Sequence, residues 1–151
     1  MAGYPGRSGE AHEDKADRGM TASRIVLVAV RDASRAGEIV GTIQARGLPA
    51  VQAASARQAV FWSRLASPAL TIVDLGVERS RILLGELRRE GHAVVAVSND
   101  PQARAWALET GCLDAMPSSF EPEELAVKVK GLVSRRLLRR RGTIVAGRWK
   151  S

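Results

Sequence analysis

The chain is poor in several residue types that carry chemistry. It holds a single cysteine, Cys112, in 151 residues. An internal disulfide is therefore excluded, and the thiol reads as a small buried apolar residue suited to a reducing compartment, the cytoplasm being the expected location. The two histidines, His12 and His92, have no visible acid–base partner. With one cysteine they form neither a Cys/His zinc pattern nor a nucleophile–base arrangement. There is no Gly-x-x-x-x-Gly-Lys phosphate loop and no Gly-rich dinucleotide fingerprint. Aromatic residues make up 4%, and Trp62 and Trp106 fall on helix faces, where packing accounts for them. No apolar run approaches the roughly 20 residues that span a bilayer, and no basic segment leads into an apolar one at the N-terminus. Neither a membrane span nor a secretion signal is expected.

Acidic residues are missing from one place in particular. Seven of the 23 basic residues lie from Arg135 onward, where no acidic residue occurs, and the remaining 16 balance the 16 acidic ones. The body is neutral and the tail carries the whole excess of +7. Such a tail suits either nucleic acid phosphates, through counterion release, or a solvated helix end, where the macrodipole favours basic residues without any ligand.

Hydrophobic residues make up 45% and charged residues 26%, enough in this length for one domain with a real core. Residues 1–22, which include Met20 as a possible alternative start, are polar and read as a disordered leader. An alternation of strands and helices follows. Residues 25–30 form a β-branched run, as expected of a strand buried on both faces. Residues 34–46 carry Ile39, Val40 and Ile43 at helical spacing before Gly47. Residues 50–54 give a second strand, and Ser55 caps a helix to about Ala66 with Val60, Phe61 and Leu65 as its apolar residues. Residues 70–75 form a third strand containing Asp74. A helix with Ile82, Leu83, Leu84 and Leu87 precedes a fourth strand at 93–97. Asp100-Pro101 opens the next helix, residues 113–116 give a weak fifth strand, and Glu121-Pro122-Glu123-Glu124 opens the last helix, with acids at its positive end and Leu125, Val129, Leu132 and Val133 on its apolar face.

Five strand–helix units with short connections demand an α/β fold: a three-layer, doubly wound five-stranded parallel sheet with right-handed crossovers. A site in such a sheet forms at the carboxyl ends of the strands. Asp74, Ser98, the Arg31-Asp32 turn and Pro117-Ser118-Ser119 all fall there.

Residues 68–75 and 111–125, the second with its Phe-Glu-Pro-Glu-Glu-Leu helix start, resemble the receiver domain of bacterial response regulators. That resemblance covers residues 24 to about 134 and implies the flavodoxin-like (βα)5 receiver fold of CheY-like proteins. It places Asp74 at the phosphoacceptor position and Ser98 at the switch hydroxyl position. The acidic pair that holds magnesium falls on Val30 and Arg31, or on Ala29 and Val30 one residue back. Ser118 stands at the lysine position and Ala115 at the switch aromatic position. What is left, Asp74 and Asp32 with Arg31 as a stand-in cation pairing Asp74, implies weak or absent magnesium binding, hence no cofactor and no catalysis. Asp74 then either keeps a signalling role or only caps a loop by hydrogen bonds. Ser98 reads as a cap or turn residue, and Ser118 and Ser119 as caps of the last helix.

Residues 135–151 read as a basic linker and the start of a strand. They resemble the opening of the DNA-binding half of OmpR-type winged-helix regulators and stop before any recognition helix. The expected function is a receiver-like regulatory and dimerisation domain of an atypical, phosphorylation-independent response regulator controlling transcription. The expected partners are a second copy, through the fourth and fifth helices and the strand between them, and DNA through a domain outside this sequence; a sensor kinase is left open. The alternatives are a small-molecule-sensing pseudo-receiver with a pocket at Arg31, Asp74 and Ser118, or a receiver still phosphorylatable at Asp74.

Overall fold

The computed structural model describes residues 23–141. The leader at 1–22 with His12 and Met20, and the strand expected within 142–151, lie outside the described residues. The elements alternate as β1 (Val26–Ala29), α1 (Ala33–Ala45), β2 (Ala50–Gln52), α2 (Ala56–Ala66), β3 (Leu70–Asp74), α3 (Ser80–Arg89), β4 (Val94–Val97), α4 (Pro101–Glu109), β5 (Asp114–Met116) and α5 (Pro122–Arg141). The strands form one sheet in the order β2-β1-β3-β4-β5, and every pairing is parallel.

Strand alternation divides the core in two. Val26, Val28, Ile72, Val95 and Val97 face α1 and α5, where they meet Ile39, Ile43, Leu125, Val129 and Val133. Leu27, Ala29, Val73, Val94 and Ala96 face the other way, onto Ala59, Leu83, Leu84, Leu87 and Ala107. Burial on both faces explains why β1 and β4 read as continuous apolar runs rather than as alternating ones. Thr71 is the exception: it is fully buried, and its hydroxyl has no hydrogen-bond partner.

The helix starts follow their capping residues. Asp32 accepts from the N–H groups of Ser34 and Arg35 at 2.9 and 3.1 Å. Ser55 accepts from Gln58 at 3.1 Å, and Asp100 from Gln102 at 3.0 Å with Pro101 in the first turn. At α5 the reach-back comes from Glu124, whose Oε1 accepts from the Glu121 N–H at 3.4 Å. The Ser118 N–H instead donates to Asn99 Oδ1 at 2.8 Å. The expected serine caps are thus replaced by a glutamate one turn inside the helix.

Two expectations need correction. α2 does not bury Phe61 and Leu65: its buried residues are Ala59 and Ser63, and Phe61 and Leu65 stand 59% and 65% exposed. Val60 and Trp62 of the same helix pack against the core partly buried. Ile82 of α3 is likewise turned out, at 61% exposed. Secondly, the last helix does not stop near residue 134. It continues without a break to Arg141, so the first part of the expected linker is helical.

The sheet order places the switch point between β1 and β3, since the chain leaves β1 toward one edge and then returns to build the other. The carboxyl ends of these two strands, Ala29 and Asp74, therefore open onto a crevice in a doubly wound sheet.

Candidate functional site

The crevice is a cavity of about 500 Å³. Val30, Arg31 and Asp32 enter it from the β1–α1 turn, Asp74 from the end of β3, and Ser118 from the loop after β5. The residues that the sequence places at the phosphoacceptor and lysine positions, with Val30 and Arg31 of the acidic-pair positions, therefore meet in space, while Ala29 of the alternative register does not line the cavity. Ser98 and Ala115 do not line it. The Ser98 hydroxyl accepts from the Asp100 N–H at 3.0 Å, the turn role expected of it. Ala115 packs with the α3 and α4 side of the core.

Asp74 is half-buried, and both of its oxygens are occupied. Oδ2 accepts from the Arg31 N–H at 3.0 Å and Oδ1 from the Gly76 N–H at 2.9 Å. The fit is close at the second contact: a Cβ on Gly76 would stand 3.2 Å from Oδ1. The carboxylate thus clips the turn after β1 to the loop after β3. The expected side-chain pair between Arg31 and Asp74 is absent: no ion pair joins them, and the contact is made by the Arg31 backbone instead. The Arg31 side chain runs past Gly76, with Cδ 3.8 Å from where a Cβ there would stand, and also lines a second groove between α2 and α3.

A cation does reach the cavity, from a residue outside the expected set. Arg35 lies one helical turn beyond Arg31 and reaches across to the loop after β5. Its Nη2 donates to the Ser118 carbonyl at 3.0 Å and to the Phe120 carbonyl. The guanidinium carbon sits 4.5 Å from the centre of the Phe120 ring. Stacking and a double carbonyl contact are things a planar guanidinium does and an ammonium does not. The signal in the sequence was its spacing: Arg35 is three residues after the cap Asp32, hence in the first turn of a helix that starts at the strand end.

Two carboxylates, Asp32 and Asp74, and two guanidinium groups, Arg31 and Arg35, thus flank one cavity. Magnesium demands several oxygen ligands in near-octahedral geometry. Here Asp74 gives both oxygens to backbone N–H groups, and Asp32 gives Oδ1 to the start of α1. Among the described residues no three His, Cys, Asp or Glu side chains are grouped so as to hold a metal ion. Val30 and Arg31 supply no acidic pair, so Asp32 and Asp74 are the carboxylates that line the cavity.

Elsewhere, His92 does have an acidic neighbour, contrary to expectation: its Nε2 lies 3.5 Å from Glu90 Oε1. Trp106 packs beneath the Arg81 guanidinium at 4.2 Å, and Trp62 meets Phe61 edge to face. Cys112 is buried as expected. Burial pushes its thiol up from the ordinary value of 9.0, against the smaller opposing effects of a Thr110 hydrogen bond and the Arg88 charge. Among the described residues no helix is long and apolar enough to cross a membrane.

No family model matches the chain, and no curated protein matches it in sequence. Solved structures do match in fold. The receiver domain of the Francisella response regulator 1452 superposes with a TM-score of 0.69 at 22% identity, covering 76% of this chain and 99% of that one. HP1043, an orphan response regulator of H. pylori, gives 0.66 at 16% identity, covering 75% and 98%. NtrX from Brucella abortus, in complex with ADP, gives 0.73 at 18% identity, covering 85% of this chain and 30% of that one. The structural neighbours are response regulator receiver domains, and the chain has their fold.

Proposed function

We propose that this chain is a receiver-like regulatory domain of an atypical response regulator, working without phosphorylation at Asp74 and without catalysis of its own. The observation that carries this reading is the engagement of both Asp74 oxygens by the Arg31 and Gly76 N–H groups. Phosphoryl transfer relies on positioning and on cations that neutralise developing charge. Here the acceptor carboxylate is spent on holding two loops together. The lysine position is Ser118, and the Arg35 guanidinium that reaches that loop is held by two carbonyls. Output then rests on association and on an attached DNA-binding domain. The face made by α4, β5 and α5 suits a second copy, since Leu108, Leu113 and Val127 are exposed there at 48%, 41% and 51%.

The test is treatment with acetyl phosphate and magnesium followed by intact-mass measurement, beside a receiver domain that is known to be modified. The expected spectrum is unchanged. A gain of one phosphoryl mass at Asp74, lost on chelation, overturns the reading. A second reading has one observation in its favour: a cavity of about 500 Å³ lies within the usual range for small ligands, and Arg31, Arg35 and Ser118 suit an anionic or polar one. A rise in melting temperature with a metabolite of that kind, abolished by Ser118→Trp, would select it.

A further inference from the structure

The groove between α2 and α3 has no part in the proposal above. It is an open trough of about 1480 Å³, walled by two helices whose apolar residues face outward. Phe61 and Leu65 stand one turn apart on α2, and Ile82 faces them from α3, each about 60% exposed. Three clustered side chains of this size in water are unusual unless something covers them.

Charge and size decide among the occupants. Arg31, Arg57, Arg64 and Arg79 line the trough against only Glu78 and Glu86. Arg64 is held by Glu86 and Glu90, whereas the guanidinium groups of Arg31, Arg57 and Arg79 have no carboxylate partner among the described residues. A second copy laid face to face would bring two basic surfaces together. The trough exceeds the usual size of a small-molecule site, about 300–1,000 Å³. The length of α2, 11 residues or about 17 Å, matches two to three turns of a helix laid alongside. Arg79 adds an independent sign. It is a non-glycine residue in left-handed backbone, φ 65°, at the start of α3 with no side-chain cap. Strain of that kind persists where the surrounding structure or a ligand makes use of it.

We propose that this groove docks an acidic amphipathic helix of a partner protein. Its aliphatic stripe would lie on Phe61, Leu65 and Ile82, and its Asp and Glu residues would meet Arg57, Arg79 and Arg31. This is helix-in-groove recognition, with apolar anchors giving affinity and the basic rim giving orientation.

The experiment is selection of a displayed library of helical peptides on the whole chain, followed by binding titrations of the enriched peptides by fluorescence anisotropy. Enriched sequences should carry leucine or isoleucine at helical spacing flanked by Asp or Glu. They should bind Leu65→Glu and the pair Arg57→Glu, Arg79→Glu at least about tenfold more weakly, and bind the parent more weakly as salt rises. Arg79→Gly separates docking from folding: it should raise the melting temperature by relieving the left-handed backbone while weakening the peptide. No enrichment, enrichment of basic or neutral sequences, or equal binding to Leu65→Glu overturns the proposal. So does self-association of the parent that Leu65→Glu abolishes, since the groove would then be a contact between copies.

Discussion

Replacing Asp74 tests whether this carboxylate is a structural clip. In a clip, removal costs stability. At a site kept poised for chemistry, removal of a strained or repelling group is neutral or stabilising. Asp74→Ala removes two acceptors, those of the Arg31 N–H at 3.0 Å and the Gly76 N–H at 2.9 Å. A hydrogen bond to a charged group contributes about 1.5–3 kcal/mol when well shielded. Both donors here are exposed, so water replaces part of each bond. The sum expected therefore falls below the shielded range of about 3–6 kcal/mol, to about 1–2 kcal/mol for the pair. Asp74→Asn keeps one acceptor oxygen and turns an NH₂ toward the other N–H, so about half that loss is expected. Urea unfolding followed by circular dichroism measures both. The order parent, Asn, Ala in falling stability, with unchanged m-values, fits the clip. Asp74→Ala at or above parental stability would refute it.

Three further outcomes are expected. Thr71→Val should stabilise by about 1 kcal/mol in the same assay, because it removes a fully buried hydroxyl that has no partner while keeping the side chain's shape. Arg35→Ala should destabilise by about 1–2 kcal/mol, since it leaves the carbonyls of Ser118 and Phe120 without their donor and uncovers the Phe120 ring, and Arg35→Lys should recover only part of that. At high pH the raised Cys112 thiol sets the sign: the folded chain holds its proton where the unfolded chain releases it. Stability from this group is therefore complete below the ordinary value of 9.0 and is lost as the pH rises through the folded value. Cys112→Ala should show a shallower alkaline decline in a pH series of unfolding midpoints.

Much of the fold was legible because its strands are buried on both faces and its helices begin at strong caps. The runs at 25–30 and 93–97 read as strands, and Ser55 and Asp100 took the capping roles expected of them, whereas Asp32, read as a pocket residue, also caps α1. The cavity was legible because a parallel sheet collects its strand ends at one rim, which brings Arg31, Asp74 and Ser118 together across some 90 residues. What was not legible depended on distances that periodicity does not contain. α2 carries Phe61 and Leu65 at helical spacing, yet Ala59 and Ser63 take the buried side. Arg31 was expected to meet Asp74 with its charge and meets it with its backbone, because the turn after β1 points the N–H, not the side chain, at the carboxylate. Arg35 escaped notice because its partners, two carbonyls and a ring, lie more than 80 residues away.

The unbroken course of α5 sets how movement could leave this domain. Its 20 residues make a rod of about 30 Å, and Leu125, Ala126, Val129 and Val133 anchor it to the core. Arg141 stands eight residues, or about 12 Å, further along the axis than Val133. A continuous rod anchored at these four side chains acts as a lever. A slight tilt at the anchored end becomes a larger sideways swing at Arg141, with no swivel between the two to absorb it.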